Sequence, residues 1–355
     1  MMHDVKPTDL GCAHDFVKTL EVSNRLWKDD TWIFRGQSDD SWNLHPSAFR
    51  DSSIVAKHAR ESFGGRHKWS KEDPEFDQMV KTMFERHKSI PLRNGKTVGD
   101  YDKTTEDEFR RRYILVNSYT SFVKNLAFSF EELADRVHLD MPVDRYPTRW
   151  DLPLTLHEQF MTSFRNPEFL SGEDPLVDEP MRVIYALAQH HGVPTILLDW
   201  TYNPLAAAFF ASDAGDCHIS DKDCDGNVYR DSRPSHIVVW AVRQKDLFDQ
   251  GLRVVKHRRG QIGFLRAQDG LFVYDLNAER FYLSTGEWTP FNRHLAALVA
   301  SEGVFRFTLP FDQRKCVLKY LDERNISRPY LMPSFDNVAN EVKRRPIDLF
   351  NRYFG

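Results

Sequence analysis

Residues 189–211, QHHGVPTILLDWTYNPLAAAFFA, constrain the fold more than any other stretch of the chain. His191-Gly192-Val193-Pro194 reads as a turn, because glycine tolerates positive φ while Pro194 fixes its own φ and drives Val193 out of the helical region. Thr195-Ile196-Leu197-Leu198 is a short apolar run with a β-branched start, which predicts a strand buried on both faces. Asp199, Trp200 and Thr201 then fall where that strand ends. Asn203-Pro204 predicts a helix over residues 205–211, with asparagine as the cap and proline at the first helical position. Its small residues allow close packing on a sheet. A strand that delivers Asp-Trp-Thr to the mouth of a helix suits an anionic ligand, since the first N–H groups of a helix are free. The same pattern suits a plain corner in which Asp199 caps neighbouring amides.

Composition bounds that reading. A chain of 355 residues can bury one large core or two ordinary ones, and 41% hydrophobic with 13% aromatic residues indicates a globular protein. A net charge of -4 gives no global attraction to nucleic acid, so binding of that kind must use a local basic patch. Cys12, Cys217, Cys224 and Cys316 are too few and too scattered for a disulfide framework, which predicts a reducing cytoplasm. Cys217-His218 and Cys224 would be part of a zinc site, but no second ligand pair accompanies them. The opening MMHDVKPTDLGC lacks the blocks of a secretory leader, and no apolar run reaches the ~18 residues of a membrane helix, so no membrane partner is expected.

Along the chain, residues 15–28 predict an amphipathic helix and residues 31–34 a strand, with Arg35-Gly36-Gln37 at its end. A guanidinium followed by glycine can be presented to an anion while the missing Cβ gives the ligand room; the other reading is a structural ion pair. Between 51 and 149 charged residues dominate and apolar ones recur at helical intervals (Phe76, Met79, Val80, Met83; Tyr113, Val116, Tyr119, Val123), which predicts a helical insertion with a loop near 90–102. The runs Arg86-His87-Lys88 and Arg110-Arg111-Arg112 read as its solvated faces, either of which could touch a polyanion. Helices over 154–164, carrying Glu158, and 181–190 lead into the central stretch. Strands follow over 236–242, 271–274 and 304–309, then helices over 311–324 and through Lys343. Arg253, Lys256, His257, Arg258 and Arg259 form a basic cluster suited to substrate phosphate. The expected class is α+β, with a discontinuous core over 1–50 and 150–342, the insertion over 51–149 and a tail over 343–355.

Three separated pieces resemble one family. Phe34-Arg35-Gly36-Gln37 with Trp42 and Pro46-Ser47, then Gln189-His190-His191-Gly192-Val193-Pro194-Thr195 running to Leu198-Asp199-Trp200-Thr201 and Pro204, then Arg266-Ala267-Gln268-Asp269-Gly270-Leu271-Phe272, are similar to the FRG domain. Ile196 stands where such domains commonly carry a basic residue, and the 51–149 insertion is longer than usual. FRG domains are frequent in bacterial and phage-defence loci and look like remote relatives of ADP-ribosyltransferases. The resemblance implies an ADP-ribosyltransferase-like split β-sheet core with flanking helices, NAD as co-substrate and no metal. It also implies an intracellular toxin held in check by an antitoxin protein. By that likeness Arg35 clamps phosphate, Trp200-Thr201-Tyr202 stand where the transferases carry Ser-Thr-Ser, and Gln268 stands near the place of the catalytic glutamate. Glu158 is the preferred acid, with Glu279 and Glu287 as candidates. Gly36, Gln37, His191, Asp199, Trp200 and Tyr202 join Arg35 around the dinucleotide.

The basic cluster Arg253, Lys256, Arg258 and Arg259, with the aromatic content, points to single-stranded RNA as acceptor, held by phosphate contact and base stacking. Two other classes compete. One is a non-catalytic nucleotide- or nucleic-acid-binding module. The other is a metal-dependent nuclease using His190, His191 and Asp199, although neighbouring residues of a helix point about 100° apart and so suit one ion poorly.

Overall fold

The computed structural model describes residues 5–57, 74–91, 95–139, 179–213, 234–256 and 263–344. In chain order the strands are β1 (Thr8–Asp9), β2 (Trp32–Gln37), β3 (Leu198–Thr201), β4 (His236–Arg243), β5 (Leu252–Val255), β6 (Gly270–Asp275) and β7 (Val304–Pro310). The principal helices are α1 (Ala13–Leu20), α2 (Pro74–Lys88), α3 (Glu106–Arg136), α4 (Glu179–His190), α5 (Pro204–Ser212), α6 (Gly263–Gln268), α7 (Ala278–Thr285), α8 (Arg314–Asp322) and α9 (Phe335–Arg344). The chain is therefore mixed α/β. It divides into two units: Met1–Leu44, Asp199–Val273 and Phe291–Gly355 make the first, His45–Leu198 and Tyr274–Pro290 the second.

The first unit is organised on a seven-stranded mixed sheet in the order β1-β7-β4-β2-β3-β6-β5. β1 runs parallel to β7, while β7 with β4, β4 with β2 and β2 with β3 are antiparallel. Because side chains alternate across a strand, the register separates two faces. Trp32, Phe34, Ile237, Val239, Ala241, Phe307 and Leu309 share a core with α1, α5 and α8. Gly36 belongs to that same face, opposite Val239. The other face carries the row Arg35, Trp240, Arg306 and, beside it, the row Gln37, Val238, Thr308.

α5 forms where its sequence says it should. Asn203 Oδ1 accepts from the Leu205 and Ala206 amides at 3.0 and 3.3 Å, and Pro204 occupies the first turn. Ala206, Ala207, Ala208 and Ala211 are buried against the sheet. The approach is so close that a Cβ on Gly36 would meet the Ala207 carbonyl oxygen at 2.0 Å and the Ala211 nitrogen at 2.7 Å. The turn before β3 also matches its sequence, with Gly192 at φ +84°.

Three expected boundaries move. β2 continues through Gln37, so Arg35-Gly36-Gln37 lies inside the strand and not at its end, each residue paired with β4. β3 begins only at Leu198: the preceding Thr195 carbonyl accepts from the Ala48 amide at 3.1 Å and the Thr195 amide donates to the Ser47 hydroxyl oxygen at 3.0 Å. Those bonds spend the backbone of the apolar run on a loop, and Asp199-Trp200-Thr201 becomes the strand itself. α1 stops at Leu20, and Asn24 caps a separate turn at Arg25–Trp27. Short polar side chains such as Asn24 compete for local backbone groups and so divide a helix.

The second unit contains α2, α3, α4 and α7. Thr105 caps α3 by accepting from the Glu108 amide, and Glu106, Asp107 and Glu108 complement the dipole of its first turn. Phe76, Val80, Phe109, Tyr113, Val116 and Leu283 form the core there. The arginine run is not a solvated face. Arg110 is buried, pairs with Asp77 and Glu106 and lies over the Phe76 ring, while Arg112 donates to Thr104 Oγ1 at 3.2 Å and to the Ser284 carbonyl at 2.6 Å. Only Arg111 of the three is exposed. His87 likewise is buried, 2.9 Å from the Asp102 carboxylate. No described helix is long and apolar enough to cross a membrane.

Candidate functional site

Arg35 is held at the junction of β2 and β3. Its Nη1 donates to the Asp199 carbonyl oxygen at 2.6 Å and lies 3.6 Å from the Asp199 carboxylate. The arginine side chain is 14% exposed and the aspartate 61%, so the carboxylate faces solvent over a guanidinium set into the sheet. Phe34 pairs directly with Thr201. The pairing thus joins the two segments most conspicuous in the sequence, which stand 164 positions apart.

Around that junction the side chains divide by task. The Thr201 hydroxyl is committed: it donates to the Gln268 carbonyl at 2.6 Å and accepts from the Asn203 amide at 2.9 Å. Gln268 contributes that carbonyl from the end of α6, and the next residue, Asp269 at φ +50°, accepts the Tyr202 amide at 3.0 Å. Trp200 is 3% exposed and therefore part of the core. Tyr202 is partly buried, its hydroxyl donating to Gln244 Oε1 at 2.8 Å, and Lys256 Nζ sits 5.2 Å from its ring centroid. Lys256 thereby lies beside the corner after β3. Arg253 stacks its guanidinium 4.1 Å from the centroid of the exposed Phe248 ring. Arg258, Arg259 and Glu158 lie outside the described residues, as do Cys217, His218 and Cys224.

Two further residues join Arg35 that no local pattern marked. Trp240 stands opposite Arg35 on β4, and Arg306 stands opposite Trp240 on β7. The Arg306 guanidinium lies 5.3 Å from the Trp240 ring centroid and donates to the Asp40 carbonyl at 2.7 Å. Trp240 Nε1 donates to Gln37 Oε1 at 2.9 Å. Two guanidinium groups thus flank one buried indole on a single sheet face, with Gln37 fixing the indole's orientation. Only strand pairing could reveal this, because neither Trp240 nor Arg306 sits in a recognisable motif. Guanidinium groups in such a setting suit phosphate or carboxylate oxygens, which they meet with parallel N–H donors.

The second unit holds the remaining candidates. His191 is exposed, its ring stacked on Phe130 at 5.7 Å and set 80° from that of His190. Among the described residues no group of three or more His, Cys, Asp or Glu side chains could hold a metal ion. Glu287 is exposed, whereas Glu279 is desolvated on α7 and takes a hydrogen bond from Thr120 Oγ1. Burial raises the Glu279 pKa, and the Thr120 bond opposes that only in part. A raised folded pKa means that the stabilising protonated form is complete below the ordinary value of 4.5 and is lost as pH rises through the folded value. Glu279→Gln is therefore expected to raise the melting temperature at pH 8 by roughly 2–4 °C, with the gain vanishing near pH 4.5. Thermal melts across that range check it.

The geometry defines a mixed α/β protein whose main sheet presents arginines on one face beside a strand-to-helix corner. Residues 132–218 match the family model of the FRG domain, so that segment of the chain is similar to that family. The described part of the match runs from the end of α3 through α4, β3 and α5. No curated protein and no solved structure matches the chain.

Proposed function

We propose that this chain is an NAD-dependent ADP-ribosyltransferase that acts as an intracellular toxin or phage-defence effector and modifies bases of single-stranded RNA. The observation that carries the reading is the contact of Arg35 with Asp199, which unites the Phe-Arg-Gly motif with the Asp-Trp-Thr corner. On this reading the sheet is the counterpart of the transferases' split-sheet core, β2 supplies the phosphate clamp and the β3–α5 corner supports the nicotinamide end.

A dinucleotide fits some of these residues by direct contact and others by support. Arg35 and Lys256 bring positive charge toward a pyrophosphate, and Tyr202 offers an aromatic surface beside them. Trp200, Thr201 and Gly36 support the β2–β3 junction without touching the ligand, through core packing, the Gln268 hydrogen bond and the seat of α5. In the transfer, the bond between the anomeric carbon and the nicotinamide nitrogen breaks and its electron pair leaves with nicotinamide. The acceptor atom bonds to the anomeric carbon and its proton passes to a carboxylate, for which Glu158 is the proposed group. The implied protein partner is a neutralising antitoxin.

The test is incubation with labelled NAD and RNA, DNA or lysate protein. Nicotinamide release with label in RNA is the expected result; label in protein alone removes RNA as acceptor, and no release removes the transferase. A second reading, a nucleotide- or nucleic-acid-binding module without catalysis, is favoured by one observation. The Thr201 hydroxyl is already bonded, and the residue whose carbonyl it meets, Gln268, is an amide where an acid would serve. Calorimetric binding of NAD without nicotinamide release would identify that module.

A further inference from the structure

The last described helix leaves its apolar stripe in water. On α9, Phe335, Val338 and Val342 are 94%, 47% and 51% exposed, and Ala339 between them is exposed as well. These positions are i, i+3, i+4 and i+7, which fall on one side of a helix and make up the spacing by which helices anchor in a partner. The helix is a built element: the Ser334 hydroxyl accepts the Asn337 amide at 3.1 Å, and Asn337 Nδ2 donates to the Met332 carbonyl at 2.7 Å. A single exposed apolar residue is ordinary on a protein surface, whereas a row of them with the phenylalanine almost fully in water is not.

The flanking charges indicate what covers the stripe. Asp336 and Lys343 are both exposed and stand seven positions apart, so they lie on the same flank, one near each end. We propose that two copies of this chain pair α9 antiparallel across a two-fold axis, each stripe covering the other. In that arrangement like flanks face each other with their ends exchanged, so Asp336 of each copy meets Lys343 of the other, twice by symmetry. Parallel pairing would set this flank against the partner's opposite flank and leave Asp336 and Lys343 without each other. Opposed helix dipoles favour the antiparallel arrangement as well. This device stands on residues remote in sequence from the proposed transfer site and does not depend on the reaction assigned there.

One short helix per copy buries less than a standard interface, so the dimer is a weak one, with a dissociation constant on the order of 10–100 micromolar. Sedimentation equilibrium of the full chain over about 5 to 300 micromolar is expected to follow a monomer–dimer equilibrium. Val338→Glu raises the dissociation constant at least tenfold, and Asp336→Lys raises it several-fold. Combining Asp336→Lys with Lys343→Asp returns it toward the wild-type value, since the exchange rebuilds both pairs. All three positions are exposed, so the variants keep the wild-type fold, and circular dichroism verifies that they do. A wild-type chain that stays monomeric throughout the range overturns the proposal and leaves the stripe to a different partner. A dimer indifferent to Val338→Glu overturns it too, as does a double exchange no tighter than the single one.

Discussion

Arg35→Ala is expected to lower NAD cleavage at least about 100-fold, a loss of roughly 3 kcal/mol of transition-state stabilisation, while leaving the melting temperature close to that of the wild type. The separation of effects follows from where the guanidinium sits. Its hydrogen bond goes to an Asp199 carbonyl on the exposed side of the strand, so water replaces the donor when the side chain is removed. A phosphate clamp has no such substitute. Arg35→Lys should recover only part of the activity, because an ammonium supplies charge without two parallel donors. Nicotinamide release and thermal melts, measured on the same preparations, check both halves. If Arg35 served only as a structural ion pair with Asp199, Arg35→Ala and Asp199→Ala would lower stability equally and leave cleavage alone.

Gly36→Ala is expected to have the opposite profile. A methyl group there would lie 2.0 Å from the Ala207 carbonyl oxygen and 2.7 Å from the Ala211 nitrogen, both backbone atoms of α5 that cannot rotate away. The helix must shift off the sheet, opening the core it shares with β2 and α8. Overpacking in a core costs about 1–3 kcal/mol when side chains can yield, so a clash with backbone is expected to cost about 3 kcal/mol or more. Denaturant unfolding monitored by tryptophan fluorescence measures it. A variant within about 1 kcal/mol of wild type would mean that α5 yields to the added methyl and that the close approach of helix to strand is not what Gly36 is there for.

These two neighbours also show how far the sequence could be read. Local signals carried where the partner is local: Asn203-Pro204 announces α5 because a cap acts on amides two and three residues away, and Gly192 announces its turn through its own φ. They failed where the partner is distant. The apolar run of β2 breaks at Arg35, yet the strand continues because its backbone pairs with β4 and Trp240 and Arg306 extend the Arg35 row across the sheet. Ile196 and Leu197 look like strand residues, but Thr195 beside them is bonded to the loop at Ser47 and Ala48. Arg110 and Arg112 read as solvated because a run of charge carries no mark of Asp77 or of the Ser284 carbonyl. The corner itself was legible, while the use already made of the Thr201 hydroxyl by Gln268 was not.

The central claim is that the β2–β3 junction receives the pyrophosphate of NAD, and a crystal structure of the chain soaked with NAD tests it most directly. The account predicts pyrophosphate oxygens within about 3 Å of the Arg35 guanidinium, with the nicotinamide end over the corner at Tyr202. A dinucleotide bound away from Arg35, or none bound at concentrations that support turnover, would contradict it.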